Sequence, residues 1–457
     1  MITFVHLSDI HFIDRDHGTQ FDLDQQIRRA VIEDLESKPA GGTSYDGLLI
    51  TGDIAFGGKH EEYKNAQVWI DELLAKTGTS VVNTYVVPGN HDVDRAYVKP
   101  GLPLWAAHAE LRKTESTDHW HHQIYQQLMQ DPLQSLLAPL KEYNNFAQGY
   151  GCFSGMVKSI VPGEPDKPQL AWQRVFEKPL SDGRHIRLHG FNSVLICDEG
   201  DAPGKMVVSK YQTSHLQHSP GLIEIVMCHH PPEWLMDKNE IRNALRSFVT
   251  IGLFGHEHNT RIEPTLGQVN LFAGAVQPSR RDPDWLPTFH ILQLDIEKSG
   301  AKTQLVVQIY TREFDKNHYR FRARRGRDDQ PKEEYRIELS DWSPSPKSVT
   351  IAAVKTPAHE LSSPESIVMT DAETTTPTAS ETAQRELLVY FFRLGTPGRY
   401  AAADEASLLH DGDDALHPQA MWAEIFRRAV SEGKLKNFWD AVAKRTPSLL
   451  GRPNPFI

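Results

Sequence analysis

The residues of this 457-residue chain best suited to chemistry fall in five short groups: Asp9-Ile10-His11, Gly52-Asp53, Gly89-Asn90-His91-Asp92, His229-His230-Pro231 and Gly255-His256-Glu257-His258. Their donors are carboxylate, amide and imidazole, with no thiolate. Asp9, His11, Asp53, Asn90, His229, His256 and His258 would therefore suit two borderline-hard divalent ions such as Mn, Fe or Zn, and not a structural zinc site. One carboxylate must bridge if the ions are to stand about 4 Å apart, as two-metal phosphoryl chemistry requires. Such a pair grips phosphate oxygens, activates a water and steadies an in-line transition state. Taken singly each group is weak evidence. An Asp-x-His or a Gly-Asp is commonly a turn, and a His-x-His is commonly a pair of ordinary histidines.

What strengthens them is where they sit. Each follows a short apolar run, over residues 2–7, 47–51, 84–87, 222–228 and 251–254. These runs read as buried strands. Amphipathic stretches at 22–36 and 61–74 read as helices between the first three, a β-α-β rhythm. Right-handed crossovers between parallel strands then bring Asp9, Asp53 and Asn90 to one edge of a sheet. Strand alternation is expected to turn Asp9 and His11 to one side, and an extended exit to do the same for His256 and His258. Further strand-like runs at 187–196, 269–273, 289–295 and 304–312, with helices at 211–216 and 239–248, complete two packed sheets with helices outside. The fold class expected is α/β, a four-layer α/β/β/α sandwich. Residues 100–166 break the rhythm and read as a helical insertion capping one side of the site. Its His119, His121 and His122 fit a solvated helix face better than an adventitious metal site.

The length implies two or three domains. No run of about 18 apolar residues exists, so no membrane span is expected. The first strand begins beside Met1 and leaves no room for a signal peptide, which makes the cytoplasm the expected compartment. Cys152, Cys197 and Cys228 lack a CxxC spacing and argue against a disulfide framework. A net charge of −11 does not draw the whole molecule to long nucleic acid. The basic, aromatic stretch 318–327 could hold a phosphate backbone, or be a solvated strand end softened by Asp328 and Asp329. Residues 342–383 turn to Ser, Thr, Pro and Ala and read as a flexible linker. Helical patterns at 386–392, 421–430 and 438–442 then make a small all-α bundle over 384–457.

In this order the five groups resemble the calcineurin-like metallophosphoesterase superfamily over about residues 1–325, with a domain expected over 1–328. The resemblance implies that Asp9, His11, Asp53 and His258 hold one ion and that Asp53, Asn90, His229 and His256 hold the other, with Asp53 as bridge. Mn is the first choice of metal, with Fe, Zn or Mg as alternatives. It further implies that His91 contacts the scissile phosphate and protonates the leaving oxygen. Asp92 would orient His91 or cap its loop. His230 would stand behind His229, the two exchanging roles if the register shifts by one. The wording of the groups is nearest the bacterial cyclic-nucleotide phosphodiesterase-like branch. Trp422, Ile425, Ala429, Gly433-Lys434-Leu435, Phe438, Ala441 and Pro447 resemble the helical effector-associated domains of bacterial conflict systems, which pair with like modules on partner proteins. A tail that assembles a homo-oligomer is the plainer alternative. The expected function is a phosphodiesterase cleaving nucleic acid or nucleotides as a defence effector. A housekeeping or signalling phosphodiesterase for 3',5'-cyclic nucleotides or other small phosphodiesters, and a non-catalytic scaffold, are the alternatives.

Overall fold

A computed structural model describes the chain except residues 15–16, 20–21, 38–43, 114–116, 131–134, 158–166, 220, 279–285, 301, 327–328, 343–378, 395, 411–412, 414–417, 447–448, 450–451 and 457. The strands are β1 (Ile2–Leu7), β2 (Gly47–Ile50), β3 (Thr84–Val86), β4 (Gly155–Val157), β5 (Lys167–Gln169), β6 (Trp172–Val175), β7 (His185–Phe191), β8 (Leu222–Cys228), β9 (Ile251–Phe254), β10 (Arg261–Thr265), β11 (Gln268–Phe272), β12 (Thr288–Ser299), β13 (Lys302–Asp315), β14 (Arg320–Ala323) and β15 (Glu333–Leu339). The helices are α1 (Gln25–Glu36), α2 (His60–Thr77), α3 (Pro103–Lys113), α4 (Thr117–Gln130), α5 (Lys141–Gln148), α6 (Lys210–Thr213), α7 (Lys238–Phe248), α8 (Ala379–Arg393), α9 (Thr396–Glu405), α10 (Pro418–Ser431) and α11 (Leu435–Ala443).

One sheet runs β14-β13-β12-β1-β2-β3 with β15 also on β13, and the other runs β10-β11-β9-β8-β7-β6. Within them β1, β2 and β3 are parallel, as are β7, β8 and β9. β1, β2 and β9 are buried along their whole length, which is why they read as unbroken apolar runs. The sheets are locked face to face by aromatic contacts. Tyr85 of β3 stacks on Trp172 of β6 with ring centroids 5.9 Å apart, and the Trp172 indole donates to the Val86 carbonyl at 2.9 Å. Gly190 makes room for that indole, because a Cβ there would fall 2.0 Å from the ring. Helix α1 buries Ile27, Ala30, Val31 and Leu35, and α7 buries Ile241 and Leu245, the spacing of one helical face. The result is the four-layer α/β/β/α sandwich, with a helical region at the C-terminal end.

Inside the second sheet, Glu224 of β8 lies opposite Arg187 of β7 and accepts from its Nε at 2.8 Å; it also meets His189 Nε2 at 2.8 Å. All three side chains are buried. Glu224→Ala leaves an uncompensated cation in the interior and should cost about 3–5 kcal/mol. A urea unfolding curve checks this; an unmoved midpoint would show that water reaches the cluster.

Several expectations are revised. The strand expected over 187–196 stops at Phe191, because Asn192 turns the chain: its Oδ1 accepts from Val194 N, and its own N–H donates to Gln212 Oε1. The helix expected over 211–216 is only α6. His121 is not on a solvated face. It is fully buried, with Nδ1 3.0 Å from Ser209 Oγ and Nε2 2.8 Å from Glu240, and so ties α4 to α6 and α7. His122 is exposed, and the side chain of His119 lies outside the described residues. The basic stretch forms the edge strand β14, with Phe321 buried against Phe289 and Phe314 and with Arg322 and Arg325 paired to Glu313 and Asp329. Charge on an edge strand also discourages sheet-to-sheet pairing.

Most of the expected linker, 343–378, lies outside the described residues, and α8 begins at Ala379. Helices α8 to α11 bury Leu387, Phe391, Trp422, Ile425, Phe438 and Trp439 among themselves. They also rest on the sandwich. Helix α10 contacts β6, Phe392 meets Phe153 with ring centroids 5.7 Å apart, and Arg427 pairs with Glu177 at 2.9 Å.

Candidate metal centre

Asp9 follows β1, Asp53 follows β2 and Asn90 follows β3, while His229 and His256 follow β8 and β9. Parallel register within each sheet puts these ends on one edge. Backbone hydrogen bonds join neighbouring strand ends within each sheet, Asp9 N–H donating to Gly52 O at 3.1 Å and Gly255 N–H to His229 O at 3.0 Å, while His256 N–H, which donates to Asp9 Oδ2 at 3.2 Å, ties one sheet's edge to the other's. The side chains do not converge through strand alternation, as expected for Asp9 and His11, nor through an extended exit at His256 and His258. Asp9, His11, Asp53, His256 and His258 all have positive φ, between 52° and 73°. Non-glycine residues avoid this left-handed region, and such strain persists only where the surroundings over-determine it. Turning the backbone inward aims consecutive short side chains at one point.

Ligand-type atoms of Asp9, His11 and His258 lie within 4.8 Å of one another, as do those of Asp9, Asp53 and His229, of His11, Asp53 and His91, and of His229, His230 and His256. Asp53 Oδ2 is 3.1 Å from His11 Nε2 and 3.4 Å from His229 Nε2. Asn90 Oδ1 stands 3.1 Å from His229 Nε2 and 2.9 Å from His256 Nδ1. Asp9 Oδ1 is 3.2 Å from His258 Nε2, and its Oδ2 accepts from Ser8 Oγ at 2.5 Å.

These contacts favour a cation. His229 Nδ1 is 2.7 Å from the Thr51 carbonyl, so its proton is there and Nε2 presents a lone pair to the lone pairs of Asn90 Oδ1 and Asp53. Facing acceptors repel unless a proton or a metal ion stands between them. With protons alone, burial opposes charge on His229, but the Asp53 carboxylate outweighs it and raises the ring to about 9. Burial, reinforced by His229, holds His256 down at about 3, as a neutral ligand. Burial resists ionisation of Asp9, yet His258 and His229 hold it at about 2. The donor set fits divalent metal ions, and Asp53 belongs to two of the groups that could hold one.

His91 is held on two sides. Its backbone N–H donates to Asp53 Oδ1 at 2.8 Å, and its ring Nδ1 is 2.8 Å from the Phe56 carbonyl, which leaves Nε2 on the site side. Asp92 does not orient this ring. Its carboxylate is fully buried and accepts from Gly89 N, Ala55 N, Ile54 N and Tyr63 OH at 2.9 to 3.1 Å, clamping the Asn90 loop onto the Asp53 loop. Burial and the nearby Asp53 charge push it up to about 7. His230 adjoins both His229 and His256, with Nδ1 2.8 Å from Ser193 Oγ and its ring 4.4 Å from that of His256. Sequence reasoning missed Phe56, Ser8 and Trp234, whose ring meets His256 edge-on at 4.0 Å. Only Trp234 left a signal, as the aromatic just after His229-His230-Pro231-Pro232.

A two-sheet sandwich whose strand ends gather aspartate, asparagine and histidine at one place is suited to holding metal ions against phosphoester oxygens. The calcineurin-like phosphoesterase profile matches residues 2–260, more than half of the chain, and the chain belongs to that family. A metallophosphoesterase-like protein of Bacillus subtilis, YydB, is 31% identical over 96 residues, 21% of this chain. The chain spans only 18% of that relative's length. Among solved structures, a putative 5'-nucleotidase of Staphylococcus aureus aligns over 65% of this chain and 51% of its own at 14% identity and a TM-score of 0.34. GAP50 of Plasmodium aligns over 75% and 90% at 8% identity and a TM-score of 0.36. Among the described residues no helix is long and apolar enough to cross a membrane.

Proposed function

We propose that the chain is a dimetal phosphodiesterase acting on nucleic acid or nucleotides, with Asp9, His11, Asp53 and His258 around one ion and Asp53, Asn90, His229 and His256 around the other. The observation that carries this reading is the set of acceptors facing one another around Asp53 and Asn90, which a metal ion, or failing that a proton, must bridge. Bound ions, Mn in the first instance, supply Lewis acidity toward phosphate oxygens and an activated water. His229 is the ligand in preference to His230, because it faces both Asn90 and Asp53. Asp53 orders His91 through the backbone, and Phe56 fixes the ring by accepting from Nδ1–H, so that in the imidazolium form Nε2–H can pass its proton to the leaving oxygen and leave a neutral ring. Asp92 serves the loop's shape. The defence-effector role, in the cytoplasm, assigns the C-terminal helices to recruitment of a partner.

His91→Ala separates this assignment from a merely structural one. Loss of a general acid should lower kcat on a dinucleotide, whose alkoxide leaves poorly, by about 10²–10⁴-fold. The loss should be much smaller on bis(4-nitrophenyl) phosphate, whose leaving group needs no proton. Equal losses on both substrates would remove the acid role. Hydrolysis by the wild type with Mn, abolished by EDTA and restored by Mn, tests the centre itself.

A further inference from the structure

A second cavity lies beside the metal loops and is used by none of the chemistry above. It is a cleft of about 410 Å³ whose lining includes Tyr97, Asn144, Asn145, Gln148, Phe153 and Phe392. That volume is in the range of small-molecule sites. Tyr97 belongs to the turn following Asn90-His91-Asp92, and that turn is pinned by Asp94 N–H donating to the Pro139 carbonyl at 2.9 Å. Tyr97 lies six positions beyond His91, so the cleft begins within about 20 Å of the metal centre.

Helix α5 supplies the floor. Lys141, Asn144, Asn145 and Gln148 recur with the spacing of one helical face, while Tyr143, Phe146 and Ala147 are buried on the other. The amides are only partly used. Asn144 Oδ1 accepts from Ser154 N at 3.1 Å and Asn145 Nδ2 is 3.4 Å from Glu142, so that among the described residues the NH2 of Asn144 and the Oδ1 of Asn145 are not engaged. Gln148 Oε1 is buried with no hydrogen-bond partner among the described residues. Buried acceptors are rarely left so. The walls are rings: Tyr97 is 43% exposed, and Phe153 and Phe392 are half-buried in edge contact. Phe392 comes from α8, so the C-terminal helices complete the cleft. Lys141, which pairs with Glu142 at 3.5 Å, lines the cleft, and Arg95 and Lys99 are exposed within two residues of Tyr97 in sequence; Asp94 is engaged by Lys59.

We propose that this cleft holds an unpaired nucleobase of a single-stranded nucleic acid whose backbone runs past the metal centre. Aromatic faces with free amide donors and acceptors match a base with its hydrogen-bonding edge exposed. A duplex hides that edge and does not fit. The inference rests on the phosphodiesterase reading only for the direction of the strand.

The test is fluorescence polarisation of a fluorescein-labelled, phosphorothioate-linked short oligothymidylate against the full-length chain with Mn present. Tyr97→Ala and Gln148→Ala should each weaken binding about tenfold at unchanged Tm, and the matching duplex should bind more weakly than the single strand. Unchanged affinity in both variants, a wild type that does not bind the oligothymidylate, or preferred duplex binding would each overturn the proposal. Hydrolysis of bis(4-nitrophenyl) phosphate, measured in parallel, reports on the metal centre alone. Its absence with oligothymidylate binding intact would sink the catalytic reading and leave the cleft standing.

Discussion

Asp53→Asn should reduce phosphodiester hydrolysis by more than about a thousandfold and lower the bound metal measured by elemental analysis after gel filtration. Metal-ion catalysis contributes several kcal/mol of charge stabilisation, at 1.36 kcal/mol per factor of ten. Asp53 is the side chain that both proposed ion positions share. It lies near His11 and His229 through Oδ2 and takes the His91 N–H on Oδ1. An amide keeps the shape and can still accept that N–H, so the fold should survive. What it cannot do is supply negative charge between two cations. Full metal content with lost activity would move Asp53 from ligand to positioning residue; full activity would remove the dimetal assignment.

Gly89→Ala should be nearly as damaging, although it removes no ligand. A Cβ on Gly89 would fall 2.1 Å from Asp53 Oδ1 and 2.4 Å from Asp53 N. No flexible chain end is available to yield, because Asp53 is held by its backbone bonds to Ile10 and His11 and its carboxylate is already engaged. Gly89 has an extended backbone at φ −108° that any residue can adopt, so the effect would come from contact and not from backbone strain. The alanine must push the Asp53 and Asn90 loops apart, an overpacking cost of typically about 1–3 kcal/mol. Hydrolysis should fall by at least about a hundredfold, since about 1 Å of misplacement can have that effect. Circular dichroism and metal analysis alongside activity would check this. A fully active Gly89→Ala variant would mean that the two loops move independently, contrary to the clamp that Asp92 provides.

The clamp also bears on His91. A histidine next to an aspartate in sequence invites the idea of a pair, yet the two side chains part. His91 turns to the Phe56 carbonyl, and Asp92 turns to the amides of Gly89, Ile54 and Ala55. Adjacent residues in so tight a turn point in different directions, and a linear reading has no means of choosing which neighbour finds which partner.

The donors themselves, their order and their positions after apolar runs were legible in the sequence, because a buried parallel strand has a recognisable composition and its crossovers have one hand. From that alone Asp9, Asp53 and Asn90 were expected at one edge of a sheet; that His229 and His256, on the other sheet, would join them was implied only by the family resemblance. Only the tertiary structure decided how the side chains turn inward. The left-handed backbone at Asp9, His11, Asp53, His256 and His258 is disfavoured locally, and contacts distant in the chain impose it, so no local pattern announces it. The same holds for Phe392. Its helix is apparent from composition, but its place in a cleft beside α5 depends on how α8 to α11 seat against the sandwich, which local periodicity does not encode.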